Sequence, residues 1–157
     1  MSDLREIRSF VAIDEDLATA GQPTEEQLGL LKAQGFEVVV NLGLLDPAYC
    51  LPDEAGTVKA LGMSYYHIPV DFKRPTISDF ESFQRVMRET HHRKVFVHCA
   101  ANFRVSCFVA LFGETVLSWT RQQADAHIRK LWEPNEIWAQ FLSQVRAKRQ
   151  GDASHGQ

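Results

Sequence analysis

Cysteine is scarce: the chain of 157 residues has three, Cys50, Cys99 and Cys107, with no Cys-x-x-Cys pair among them. An odd, sparse set excludes a disulfide scaffold and suits reduced thiols in a reducing compartment. No uninterrupted apolar run approaches the ~20 residues of a membrane-spanning helix. The opening stretch, MSDLREIRSF, carries acidic residues and no apolar signal core. A cytoplasmic protein without a membrane partner is therefore expected. Positive charge is not in excess either: 17 Lys and Arg against 20 Asp and Glu leave a net charge of −3. With no arginine stripe or interleaved aromatic platform, nucleic acid is excluded as the main partner. His91-His92 lacks a third ligand at metal-binding spacing, so no metal is expected, and no cofactor motif is present. There is no internal repeat, and 45% apolar content supports one compact domain over residues 1–147. Residues 148–157 read as a disordered tail.

What is present alternates strand and helix. Phe10 to Ile13 and Leu17 to Ala20 flank the acidic turn Asp14-Glu15-Asp16 as a hairpin would. Gly21-Gln22-Pro23 breaks the pattern. Thr24 with Gln27 forms a capping-box signature for a helix over 24–34, stopped by Gly35. Phe36 to Leu42, with Val38-Val39-Val40, is a continuous apolar run of the kind covered on both faces in a parallel sheet. Gly43 to Pro52 reads as an exposed loop holding Tyr49 and the thiol of Cys50. Pro52, Asp53 and Glu54 suit a helix start. Tyr65 to Val70 is the next strand, and Pro69 near its end implies an edge or a departure from the ladder. Ser78 is the expected cap of a helix over 79–90, with Phe80, Phe83, Val86 and Met87 on one face. Thr120 caps a further helix, and Ile137, Trp138, Phe141, Leu142 and Val145 mark the last. The expected fold is α/β, a central mostly parallel sheet of about five strands flanked by helices.

The chemistry concentrates at His98 to Ser106, HCAANFRVS. Val95-Phe96-Val97 leads in as a buried strand, and Val105 to Phe112 leaves as a buried helix. A thiol between them meets the unpaired N–H groups and positive dipole end of the helix, which favour the thiolate and can cradle an oxyanion. Cys99 is thus the candidate nucleophile. Arg104 is the anion clamp, and Ala100, Ala101, Asn102 and Phe103 supply the remaining phosphate-binding backbone. His98 is expected to hydrogen-bond the loop backbone. Asp71, opening the loop that runs to Thr76, is the candidate general acid; the plain alternative is a turn residue. Cys107 reads as core.

The Gly-Gln-Pro turn, the V-V-V-N-L strand, the H-I-P-V-D strand end, the V-H-C…R loop and the P-N-x-x-W helix resemble the cysteine-dependent protein tyrosine phosphatases. The resemblance is nearest to the dual-specificity type and to small bacterial phosphatase-like proteins, and it spans roughly Phe10 to Val145. It implies a dual-specificity phosphatase-like fold and a hydrolase acting on a phosphorylated protein or a small phosphate monoester. It implies roles too: Cys99 as nucleophile, Arg104 as phosphate clamp and Asp71 as acid. Ser106 becomes the hydroxyl that assists the leaving thiolate, and Asn135, after Pro134, a brace for the catalytic loop. One departure stands out. The family loop is Cys-x5-Arg, whereas Arg104 follows Cys99 by five positions, a Cys-x4-Arg loop, and Asn102 takes the place of the usual glycine. That length resembles the rhodanese-type sulfurtransferases, in which the cysteine carries a persulfide, so a Cys99 persulfide is one alternative. A catalytically weak oxyanion- or phosphoprotein-binding module is another.

Overall fold

The computed structural model describes residues 3–155. A short 3-10 turn precedes the hairpin β1 (Val11–Asp14) and β2 (Leu17–Ala20). Next come α1 (Glu25–Ala33), β3 (Val38–Asn41), α2 (Glu54–Ala60), β4 (Ser64–His67), α3 (Ile77–Glu89) and β5 (Val95–His98). The chain closes with α4 (Phe103–Val116), α5 (Arg121–Arg129) and α6 (Glu136–His155). The strands form one sheet in the order β1-β2-β5-β3-β4, parallel except for β1 against β2. The expected fold is observed; β4 is an edge strand, and it ends at His67, so Pro69 and Val70 lie beyond the ladder and not within the strand.

The sheet is covered on both faces because β3 and β5 are apolar at alternate positions of both parities. Val39 and Phe96 face α1 and α2, packing with Leu28, Leu31, Phe36 and Val58. Val38, Val40, Val95 and Val97 face the other layer, where α4 lies against Phe80 and Phe83 of α3 and Trp138 and Phe141 of α6. Nearly all of α4 from Arg104 to Gly113 is buried, so it is a core helix and not an amphipathic cover.

Local capping accounts for most helix starts. Thr24 with Gln27 and Thr120 with Gln123 form capping boxes, as their spacing predicts. For α3 the cap is Thr76, paired with Asp79, and not Ser78. The same spacing rule favours Thr76 once the acid three residues on is counted. The expected tail is also corrected: α6 runs on through 148 to His155, with Lys148 on Glu81 and Arg149 on Glu114, and positions 156–157 lie outside the described residues.

Candidate active site

The parallel strands end together. Ala20, His98, Asn41 and His67 lie in one row across β2, β5, β3 and β4, and Cys99 follows immediately on the central strand. This is the edge of an α/β sheet where ligands bind, beyond the carboxyl ends of the strands.

From Cys99 the chain turns through Ala100 and Ala101 to Asn102, whose φ of 69° is left-handed. Asparagine tolerates that region better than most residues, which is how the loop dispenses with the family's glycine. Its side chain is fastened at 2.9 Å to the Ser9 carbonyl and 3.1 Å to Thr19 Oγ1, so it does not cap α4. Among the described residues, no protein acceptor takes the backbone N–H of Ala100, Ala101, Asn102, Phe103, Arg104 or Val105. The start of the core helix is left open, with its dipole directed at whatever fills the loop.

Arg104 stands in the first turn and is only 6% exposed. Nη1 donates to the Val70 carbonyl at 2.8 Å and Nη2 to the Tyr49 hydroxyl at 3.3 Å, and no carboxylate pairs with it among the described residues. The guanidinium lies over the Tyr49 ring, 5.9 Å from its centroid. Tyr49 also accepts from Leu44 N at 2.8 Å, so the loop from Gly43, exposed over residues 44–48 as expected, is tied to the site through Tyr49. Cys99 itself is buried at 1% exposure beneath it.

A second group of polar residues lies under the loop. His98 Nε2 meets Glu54 Oε2 at 2.7 Å, with both side chains buried. The other Glu54 oxygen accepts from Gln22 Nε2 at 2.6 Å, while Gln22 N donates to the Ala100 carbonyl at 3.0 Å. Burial would raise the Glu54 carboxyl, but the hydrogen bond and charge of His98, with Gln22 and Tyr65, outweigh it and hold the carboxyl below its ordinary value. Burial and the Glu54 charge push the Tyr65 hydroxyl up. Gly21 is fixed by contact: a Cβ there would stand 2.5 Å from the Ala100 carbonyl. Sequence reasoning read Glu54 only as a helix-start acid and Gln22 only as part of a turn. The signal that could have found them is Gly21-Gln22-Pro23, whose glycine permits close backbone approach.

The remaining candidates are distributed differently. His98 meets the loop as expected, its Nδ1 3.2 Å from the Cys99 carbonyl. Ser106 does not meet Cys99: its hydroxyl donates to the Phe103 carbonyl at 2.6 Å and accepts from Trp132 Nε1 at 3.0 Å. A serine in a first helical turn readily bonds back to the carbonyl three residues before it. Asn135 caps α6, accepting from Trp138 N at 2.9 Å, and the brace it provides reaches Phe72 and not the Cys99 loop, through Trp138 Nε1 on the Phe72 carbonyl at 2.8 Å. Asp71 is exposed and accepts from Lys73 N at 2.9 Å, the turn geometry noted as its plain alternative. It nevertheless directly follows Val70, whose carbonyl holds Arg104. Cys107 is core, its thiol pushed by burial up to about 12.

A mostly parallel five-stranded sheet that delivers a cysteine loop from its central strand into a buried helix is the domain of the cysteine-dependent phosphatases of dual-specificity type. The chain belongs to the family described as DSP-PTPase phosphatase fused to NAD+ kinase, whose model matches residues 11–147. A candidate phosphatase from Shewanella putrefaciens CN-32 is 33% identical, covers 92% of this chain and 95% of its own, and superposes with a TM-score of 0.83. TpbA of P. aeruginosa, in complex with pTyr, shares the fold at 17% identity, covering 82% of this chain and 75% of its own with a TM-score of 0.67. The beta-lactamase hydrolase-like protein of Agrobacterium fabrum is 28% identical over 84% of this chain, but the chain spans only 37% of that protein. Among the described residues no helix is long and apolar enough to cross a membrane.

Proposed function

We propose that this phosphatase-family domain hydrolyses a phosphate monoester through a phosphocysteine at Cys99. The observation that carries the reading is Arg104: a buried guanidinium with no carboxylate partner among the described residues, at an unfilled helix start, five positions after a buried thiol. A buried charge without a counter-ion is costly, and a dianionic phosphoryl group supplies one. The phosphate displaces the Tyr49 hydroxyl from Nη2, and the amides from Ala100 to Val105 take its equatorial oxygens. Cys99 Sγ attacks phosphorus as the ester oxygen leaves. Asp71 releases the Lys73 amide and protonates that oxygen, then takes a proton from the water that hydrolyses the thiophosphate ester. The products are an alcohol and inorganic phosphate. A phosphoprotein, with phosphotyrosine as in the TpbA complex, fits the substrate class, in the cytoplasm of a bacterium like those that supply the relatives.

The six-residue loop from Cys99 to Arg104 favours a second reading, sulfur transfer through a Cys99 persulfide. Parallel assays of p-nitrophenyl phosphate hydrolysis and thiosulfate-to-cyanide transfer, each with Cys99→Ser, separate the two. We expect phosphate release that Cys99→Ser abolishes, with a phosphate adduct on the Cys99 peptide in mass spectrometry after acid quench. Sulfur transfer with a persulfide adduct and no phosphate release overturns the phosphatase reading.

A further inference from the structure

Glu54 is a carboxylate at 5% exposure on α2, a helix that gives the site no other group, and the proposed reaction does not use it. We infer that Glu54 is a positioning residue: it holds His98 with both ring N–H groups donating, and so fixes the orientation of the first peptide units of the Cys99 loop.

The argument is one of donors and acceptors. His98 Nδ1 lies 3.2 Å from the Cys99 carbonyl and Nε2 lies 2.7 Å from Glu54 Oε2. A carbonyl can only accept, and so can an ionised carboxylate, so each ring nitrogen must carry a hydrogen. Glu54 makes the second proton favourable as its buried counter-ion. The groups that face the pair are few: Tyr65 from β4, whose hydroxyl takes Asn41 Nδ2 at 3.0 Å, Gln22 from the turn after β2, and the Phe96 ring stacked 5.7 Å from the imidazole. No second acid competes with Glu54 among these neighbours.

The structural consequence follows from the planar trans peptide. Cys99 O is drawn to His98, and Ala100 O is drawn to Gln22 N at 3.0 Å, with Gln22 itself tied to Glu54 at 2.6 Å. In each peptide unit the N–H points opposite to the C=O. Two carbonyls drawn to the underside therefore turn the amides of Ala100 and Ala101 toward the anion side. Glu54 orients these donors without touching substrate. The effect on turnover rests on Cys99 being the nucleophile, whereas the protonation of His98 does not.

The decisive measurement is long-range proton–nitrogen NMR of the His98 ring in the full chain near neutral pH. Both nitrogens should appear protonated, and Glu54→Gln should convert the ring to a neutral tautomer, with Glu54→Asp restoring part of the doubly protonated signal. A neutral His98 in the wild type overturns the inference. With inorganic phosphate as the probe in calorimetry, Glu54→Gln should weaken binding about tenfold and lower kcat roughly a hundredfold with a smaller change in KM, the scale of a ~1 Å misplacement of oriented donors. Should Glu54→Gln not fold, Gln22→Leu keeps the ion pair and should weaken phosphate severalfold with His98 still doubly protonated. Unchanged phosphate affinity in the variant that folds overturns the positioning role. A wild type that binds phosphate without turning it over leaves these arms intact and counts only against Cys99 as nucleophile.

Discussion

Arg104 and Arg146 are equally buried, each at 6% exposure, and they stand at the two ends of α4, in its first turn and against Glu114 in its last, in opposite electrostatic situations. Arg146, on α6, is neutralised: Nη2 lies 2.7 Å from Glu114 of α4 and 2.9 Å from Asp125 of α5, and Arg149 adds a second cation to Glu114 at 3.2 Å. Burial would lower its proton affinity, but the two carboxylates outweigh burial and raise it. Among the described residues Arg104 has only a carbonyl and a hydroxyl. The first arginine belongs to a finished cross-brace between three helices. The second is a cation held in a slot, its charge unanswered until an anion arrives. The same residue type, at the same depth, is structural where the chain supplies the carboxylate and functional where it does not.

Truncation should show this most sharply. Arg146→Met leaves the buried Glu114 to the half-exposed Arg149 alone and Asp125 without its cation, and should cost about 2–3 kcal/mol in urea unfolding at neutral pH, while phosphate binding by the folded fraction is retained. Arg104→Met strands no opposite charge. It forfeits hydrogen bonds to Val70 and Tyr49 while relieving a buried cation, so stability should change by about 1 kcal/mol or less and phosphate binding should disappear. Equal destabilisation by the two variants would mean that Arg104 is as structural as Arg146, and the contrast would collapse.

Acid should expose a third buried group that is neither clamp nor brace. Burial, aided by Lys130, lowers His127 from its ordinary 6.5 to about 4, and its Nε2 has no hydrogen-bond partner among the described residues. The unfolded chain therefore binds a proton between these values that the folded chain refuses, so stability is complete above 6.5 and falls as the pH drops toward 4. At pH 5 the loss should be about 2 kcal/mol, at ~1.4 kcal/mol per unit. Arginine does not titrate in this range, so His127→Gln should flatten the slope without touching either arginine cluster. A loss confined to pH below about 4.5 would assign the acid sensitivity to carboxylates such as Glu54 and not to His127.

How much of this was legible in the sequence depended on the range of each interaction. The capping boxes at Thr24 and Thr120 and the buried runs of β3 and β5 are local, and they were readable. The Cys99 to Arg104 loop was readable for the same reason, since strand, thiol, arginine and helix are contiguous. The contacts of Ser106 were not legible from its separation from Cys99 counted along the loop. Helix geometry governs them instead, and α4 begins at Phe103, so Ser106 turns toward Trp132. Glu54, Gln22 and Tyr49 were missed as site residues because each reaches the loop only through tertiary folding, and nothing in their neighbours marks a long-range partner. The missing counter-ion of Arg104 was likewise invisible, since it depends on every residue that does not come near.

The smallest expected effect tests how the empty slot is kept. The Tyr49 hydroxyl accepts from Leu44 N at 2.8 Å and from Arg104 Nη2 at 3.3 Å, so a phosphate that is to meet the guanidinium through two nitrogens must first displace it. The bond is long, and it is the weaker of the two that Arg104 makes. Tyr49→Phe keeps the ring under the guanidinium and removes only the oxygen. Leu44 N lies in an exposed stretch and can turn to water, so the fold should lose little. Freed from competition worth about 0.5–1 kcal/mol, phosphate should bind roughly two- to fivefold more tightly in calorimetry. The opposite sign is just as informative: a hydroxyl that accepts twice still has its own proton to give, and several-fold weaker binding would show that it donates to the anion. Tyr49 would then be a ligand of the cradle, and Arg104 would hold its anion with a partner that Arg146 never needs.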